Sequence, residues 1–347
     1  IDAVGGDMNA YTTKEYTTFY VRTLAEDAGV GLGLLADILQ NPALRQADVD
    51  AERQVILEEV LMHLDEPADV VQERFAEAMF PGHPLGREVL GEPDVITSVT
   101  VPEIRAFFDH HYLPRNVVVS AAGDVDHAKL AAELETRFAG WSGGSSPKRE
   151  GPATELRSLD VLERDTEQAH LVVGVRAPDR CDPDRYALSL MNHTLGGGVS
   201  SRLFQRIREE RGLAYSVVSE RSAFEDAGSL SVSVGTAPDN AHEVLGLVLE
   251  ELSDIAAKGI TPRELEVAKG HLRADLLLSL EDSGSRMSRI GGALLLHGEV
   301  LDADEVLRRI AAVTLEQIGE VSARVLGGRR VLAVVGPFSE SEFAQYA

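Results

Sequence analysis

Apolar and polar positions alternate along the chain between a period of two and a period near 3.6, and each change of period marks a new element. MNAYTTKEYTTFYVRT, residues 8–23, is β-rich on both sides of Thr13–Glu15 and predicts a hairpin. DVDAERQVILEEV, Asp48 to Val60, has helical spacing. At about 100° per residue from Val49, the residues Ile56, Leu57, Val60 and Leu64 fall on one stripe, expected to be buried. Glu58 falls on the opposite side, while Glu52 and Glu59, about two turns apart, fall on the margin of the stripe with His63 nearby. Two further helices open on capping boxes: Thr100 with Glu103 in TVPEIRAFFDHHY, and Thr314 with Gln317 in TLEQIGEVSARVL. Each leads into a short apolar run expected to be a strand, NVVVSAAGD (116–124) and RVLAVVGP (330–337).

These similarities belong to a repeat. Asp48–Val60 shares its apolar pattern with ELEVAKGHLRADL, Glu264–Leu276. Glu59 and Asp275 lie 216 residues apart, and the strand-ending Gly123 and Gly336 lie 213 apart, so the register is kept. The second copy starts at about Leu156, with a strand at HLVVGVR (170–176) and then a helix from about Pro183. At the same offset the first copy's counterparts fall before Ile1, so a strand and a helix at least, roughly fifty residues or more, are expected upstream. IDAVGGDMNAYTT does not resemble a natural start. SGGSSPKREGP (142–152) suits a flexible connection, which gives modules at 1–142 and 157–347 with a linker at 143–156. The expected fold is α+β: two homologous modules, each a mostly antiparallel mixed sheet with packed helices, forming a clamshell around a cleft.

With 347 residues, 44% apolar and 26% charged, two domains are expected. No apolar run is long enough for a membrane-spanning helix, so no membrane partner is expected. The net charge of −24 repels phosphate backbones and argues against nucleic acid. It suits cationic peptides, or serves only to keep the protein in solution. Cys181 is the single cysteine, which removes any intrachain disulfide and any cysteine-based metal site. A reducing compartment, the bacterial cytoplasm, fits that usage.

The candidate chemistry lies in a few places. Carboxylates at a half-buried helix margin, Glu52 and Glu59, need a cation or hydrogen-bond donors, and an arginine or a backbone N–H would serve as well as a metal. In RIREERGLAYS, Gly212 is expected to end a helix, with Arg208 in its last turn and Tyr215 entering a strand. An arginine favoured by the helix dipole and a core tyrosine would account for both without function. Gly196-Gly197-Gly198 lacks the Lys-Ser/Thr ending of a phosphate loop and does not follow a strand; a tight turn before a helix is the plain alternative. Asn9, Ala10 and Tyr11 lie on the first hairpin arm.

Taken in order, NAYTTKEYTTFY, LLADILQNPAL, ERQVILEEV, GHPLGREVLGEPDVI, YLPRNVVVSAAGDVD and GGGVSSRLFQRIREERGLAYSV resemble the mitochondrial-processing-peptidase branch of the pitrilysin/insulinase family, over essentially the whole chain. The resemblance implies a Zn2+-dependent endopeptidase cleaving unfolded or short peptides in an enclosed cleft. Its alternative is a non-catalytic structural or peptide-binding subunit, of the kind respiratory complexes retain. In the family an inverted His-x-x-Glu-His motif supplies two zinc ligands and the general base, and a glutamate about 75 residues downstream supplies the third ligand. Glu59 matches that glutamate, and Glu52 matches an acidic residue that supports the site.

The histidine pair would lie before Ile1. None of the ten histidines here forms the motif: His110 and His111 are adjacent, the others are isolated along the sequence, and they are expected to be surface or packing residues. One carboxylate cannot hold catalytic zinc, so the chain by itself is expected to bind zinc weakly or not at all. Asp275, the counterpart of Glu59, is expected to bind none, because Ala268 stands in the place of Glu52. By the same resemblance Arg208 binds a substrate carbonyl and Tyr215 stabilises the tetrahedral intermediate. Gly196, Gly197 and Gly198 would be a mobile lining of the peptide cleft, and Asn9, Ala10 and Tyr11 the edge strand that an extended peptide joins. Arg208 and Tyr215 share one chain with Glu59, which suggests a homodimer or a self-sufficient clamshell.

Overall fold

The computed structural model describes residues 1–144 and 149–346. Its first elements are β1 (Asp7–Thr12), β2 (Thr17–Arg22), α1 (Ala28–Gln40), α2 (Gln46–Asp65), α3 (Pro67–Met79), α4 (Pro93–Ser98), α5 (Val101–His111) and α6 (His127–Arg137). There follow β3 (Leu159–Glu163), β4 (Ala169–Ala177), α7 (Arg185–Gly196), β5 (Ala214–Ala223), β6 (Gly228–Thr236), α8 (Ala241–Lys258) and α9 (Pro262–Ser279). The last are α10 (Ser283–His297), α11 (Ala303–Ala312), α12 (Leu315–Leu326), β7 (Arg330–Gly336) and α13 (Glu340–Phe343). The fold is α+β, as expected. By contacts the chain forms two compact units: Ile1–Val60 with Val89–Arg149 and Leu277–Leu301, and Leu61–Glu88 with Glu150–Leu276 and Asp302–Ala347. This division by contact is discontinuous in sequence, whereas the modules 1–142 and 157–347 divide the chain by repeat. Of the linker at 143–156, residues 145–148 lie outside the described residues.

The second unit is built on a five-stranded sheet in the order β3-β7-β4-β6-β5. Only β3 and β7 pair in parallel. The continuous apolar run of β4 follows from helices on both faces of the sheet. Leu171, Val173 and Val175 join Leu188, Val244 and Ile318 of α7, α8 and α12 in the larger core, whereas Val172 faces Val70, Val71 and Phe75 of α3. Gly174 makes the second packing possible: a Cβ there would lie 2.5 Å from the Leu230 carbonyl oxygen and 2.7 Å from Phe75 Cζ. The buried carboxylate of Asp160 is paired with Arg74 and, at 3.1 Å, with Arg157. At the start of α12, Thr314 and Gln317 form the expected capping box.

The first unit has the expected hairpin, β1 and β2 pairing antiparallel from Asp7 opposite Arg22 to Thr12 opposite Thr17. Thr13 fixes its turn, its Oγ1 accepting from the backbone N–H groups of Glu15 and Tyr16 at 3.3 and 3.2 Å. The capping box of Thr100 and Glu103 is present. Arg53 of α2 donates to the carbonyl of Ile96 and, at 2.7 Å, to that of Val99. Among the described residues of this unit, the buried hydrophobic side chains are Ala36, Val60 and Ile96, and none belongs to either large core cluster. Polar contacts carry much of its packing, such as Arg137 to the Gly29 carbonyl at 3.0 Å and Arg105 to that of Pro42 at 2.7 Å.

Two expectations fail in this unit, for identifiable reasons. The run expected as a strand at 116–124 contains no strand. Its counterpart β7 is a strand because β4 and β3 pair with it; within this sequence the first copy has no counterpart of β4, so 117–122 lacks a ladder partner. Among the described residues the sheet of the first copy is the antiparallel pair β1 and β2. On α2, only Val60 of the expected stripe is buried; Ile56 and Leu57 are half-buried and Leu64 is exposed. Val55, Leu61 and Met62 put apolar side chains in solvent as well, so the helix has no single apolar face. Among the described residues no helix is long and apolar enough to cross a membrane.

Candidate functional site

In the second unit the stretch 202–215 departs from regular geometry twice. Phe204–Glu209, expected as the end of an α-helix, is a π-helix, with the Glu210 N–H donating to the Gln205 carbonyl at 2.9 Å. Single π-turns are rare and recur at functional sites. Gly212 then takes a positive φ of 63°, reversing the chain into β5. Ala214 is opposite Thr236 and Ser216 opposite Gly235, so Tyr215 is the extra residue of a β-bulge. The bulge turns its ring outward to 79% exposure, beside the buried Ala214. Tyr215 is therefore not the core tyrosine that the alternative reading allowed.

These two irregularities bring Arg208 and Tyr215 together. The Arg208 Cζ lies 4.6 Å from the centroid of the Tyr215 ring and 4.7 Å from that of Phe204. A guanidinium associated with two rings has its N–H donors oriented at low entropic cost. A carboxylate oxygen of Glu209 lies 3.8 Å from the Arg208 Nε. Phe204 is the member of this group that sequence reasoning missed; its place one turn before Arg208 was the available signal.

Arginines anchor the segment. Arg202 donates to both carboxylate oxygens of Glu264 at 2.6 and 2.9 Å and to Asp254 at 3.0 Å. Arg206 donates to Glu251 at 2.7 Å and to Glu250. Burial pushes the Glu264 carboxyl up, but hydrogen bonds from Arg202 and Thr261 outweigh it and hold the group below the usual carboxylate range. The glycines 196–198 are divided. Gly196 is buried against β5, where a Cβ would lie 2.6 Å from the Ser219 nitrogen, while Gly197 and Val199 are exposed. Of the histidines, His193 and His271 stack, and His110 and His111 meet edge to face.

In the first unit Glu52 and Glu59 are both exposed, not half-buried. Glu58 is exposed too, so burial does not set Glu59 apart from it. The reason is the missing apolar stripe, which leaves α2 without a margin. Asn9, Ala10 and Tyr11 are exposed on β1, one of the two strands of a two-stranded sheet. The Ala10 N–H donates to Asn9 Oδ1 at 2.8 Å, so a peptide carbonyl reaching that N–H must displace the side chain. Among the described residues no three His, Cys, Asp or Glu side chains come together as a metal site.

Two family models match the chain: that of insulinase (peptidase family M16) over residues 1–93, and that of the peptidase M16 inactive domain over residues 98–272. An uncharacterized zinc protease of Streptomyces coelicolor is 41% identical over 350 residues, covering 99% of this chain and 76% of that protein. An uncharacterized zinc protease of Bacillus subtilis is 34% identical, covering 97% and 81%. Among solved structures, a peptidase M16 inactive domain from Pseudomonas fluorescens superposes with a TM-score of 0.90 at 23% identity, covering 97% of this chain and 82% of that one. This last likeness is one of fold.

Proposed function

Because the chain belongs to peptidase family M16, the insulinase family, we propose that it is part of a zinc-dependent endopeptidase acting on unfolded or short peptides, and that Arg208 and Tyr215 are its peptide-binding centre. The observation that carries this reading is the guanidinium lying 4.6 Å from the ring of a tyrosine that a bulge has turned into solvent. In this reading Arg208 donates hydrogen bonds to a peptide carbonyl. The Tyr215 hydroxyl donates to an oxygen that gains negative charge as a carbonyl becomes tetrahedral. The acidic surface, net −24, favours cationic segments. Asn9, Ala10 and Tyr11 offer a separate strand edge for extended backbone.

Zinc supplies an activated water in such enzymes and takes three protein ligands. The described residues do not fit it by themselves, since Glu59 stands exposed and no three-ligand cluster is present among them. What this chain contributes is therefore carried by its own donors. The match of 98–272 to an inactive domain favours a second reading in which the chain binds peptides and cuts none. The reading also takes the protein to be a homodimer in a bacterial cytoplasm, which light scattering and cell fractionation test.

The experiment is fluorescence anisotropy with a labelled, cationic, unfolded peptide. A charge-assisted hydrogen bond contributes about 1.5–3 kcal/mol, so Arg208→Gln should weaken binding about 10- to 150-fold. Unchanged affinity in Arg208→Gln would remove the centre from this place. Turnover of a fluorogenic peptide in the presence of zinc separates the two readings.

A further inference from the structure

The glycine segment after α7 rests on a pair of histidines that peptide binding at Arg208 does not use. His193, in the last turn of α7, is 8% exposed. Its ring stacks on that of His271 from α9, the centroids 4.1 Å apart and the planes inclined by 16°. The Nδ1–Cε1 edge of His193 faces the glycines: a Cβ on Gly197 would lie 3.0 Å from Nδ1, and one on Gly198 would lie 3.2 Å from Cε1. Before this point α7 is tied firmly to β5. Ser219 Oγ donates to the Asn192 carbonyl at 2.9 Å, and Asn192 Nδ2 donates back to the Ser219 carbonyl at 3.3 Å. Past Gly196 the chain turns out toward the exposed Val199, and the ring of His193 is the surface against which Gly197 and Gly198 lie.

The charges around this ring are few. Burial first, and the facing His271 second, push His193 below the usual imidazole range, while the Gly197 backbone acts in the opposite sense. No carboxylate is among the groups acting on it. Of the elements against α7, β5 presents the neutral Ser219 there, and Arg324 of α12 is engaged with Asp182 and Asp184. On α11, Arg308 and Arg309 are paired with Glu305. On α9, Lys269 is turned to the carbonyls of Ala311 and Val313, and Asp275, one turn beyond His271, is exposed. Two imidazolium rings in this stack would repel each other, and the carboxylate of Asp275 is exposed to water, which screens it.

We propose that the His193–His271 stack is a positioning latch for Gly197 and Gly198, closed while at most one ring is charged and released in mild acid. Opening separates the rings and brings that of His193 into water, where it takes up a proton. A histidine whose value is lowered in the closed form binds fewer protons there than in the open form. The closed form is thus favoured above the ordinary histidine value, about 6.5, and weakens as pH falls from there through the lowered value. Only the consequence for peptide affinity rests on the function proposed above; the latch itself does not.

Hydrogen–deuterium exchange of the whole chain, corrected for the intrinsic pH dependence of exchange, tests it without any assay of activity. In the wild type, protection of the amides of residues 197–201 should fall by up to about tenfold per pH unit for each proton taken up below about pH 6.5, while β6 stays unchanged. His271→Phe keeps a flat ring and removes the facing charge while the burial of His193 remains, so the acid loss of protection should be smaller than in the wild type. His271→Ala removes the stack and should lower protection already at neutral pH, with a thermal melt confirming the fold. Wild-type protection independent of pH, an equal acid loss in His271→Phe, or wild-type behaviour in His271→Ala would each overturn the latch.

Discussion

Replacing Tyr215 separates its two contributions, a ring beside Arg208 and a hydroxyl directed to solvent. A cation–π contact at an exposed site contributes about 0.5–1 kcal/mol. Arg208 makes two such contacts, at 4.6 Å to Tyr215 and 4.7 Å to Phe204, so Tyr215→Leu removes one and leaves the other. The guanidinium then samples more orientations, and peptide affinity should fall about two- to fivefold, well short of the loss expected for Arg208→Gln. Tyr215→Phe keeps the ring and should bind peptide within about twofold of wild type, while losing turnover if the hydroxyl stabilises the developing oxyanion. Anisotropy titrations with the labelled peptide measure the first effect and a fluorogenic substrate the second. Because Tyr215 is 79% exposed, the thermal midpoint should not move. Wild-type affinity in Tyr215→Leu, or equal losses in the Leu and Phe variants, would refute the stacking argument.

Other outcomes follow from the same geometry. Gly174→Val places atoms where Phe75 Cζ and the Leu230 carbonyl already lie and should cost at least about 1–3 kcal/mol in urea unfolding. Glu264 is held below its ordinary carboxylate value, so the stability it contributes is present above that value and lost as pH falls through the lowered one. Acid titration of wild type against Glu264→Gln should show a flatter acid limb in the variant. Residues 1–347 expressed alone should retain well under one zinc per chain by elemental mass spectrometry, and Glu59→Gln and Glu58→Gln should not differ in it, both positions being exposed.

Features set by neighbouring residues were legible in the sequence. Thr100 with Glu103, Thr314 with Gln317 and the turn at Thr13 depend on contacts within a few residues, and each formed as read. β4 was legible because its run is apolar on both faces, and it formed because β6 and β7 pair with it. What escaped the reading depends on partners distant in sequence. Residues 117–122 have strand composition, yet a strand exists only where a neighbour completes its ladder. On α2 the periodic positions were identified, but burial depends on what packs there, and Glu52 and Glu59 came out in solvent. Arg208 and Tyr215 were selected by resemblance, while the bulge follows from pairing with β6 and the π-helix carries no local signature. His193 and His271 are 78 residues apart, and no spacing rule connects them.

The most direct test of the peptide-binding centre is photo-crosslinking with a cationic, unfolded peptide carrying a benzophenone side chain, mapped by mass spectrometry. The account predicts adducts within residues 204–215, with those adducts lost in Arg208→Gln while the protein stays folded. Adducts confined to other parts of the chain, or an unchanged pattern in Arg208→Gln, would contradict it.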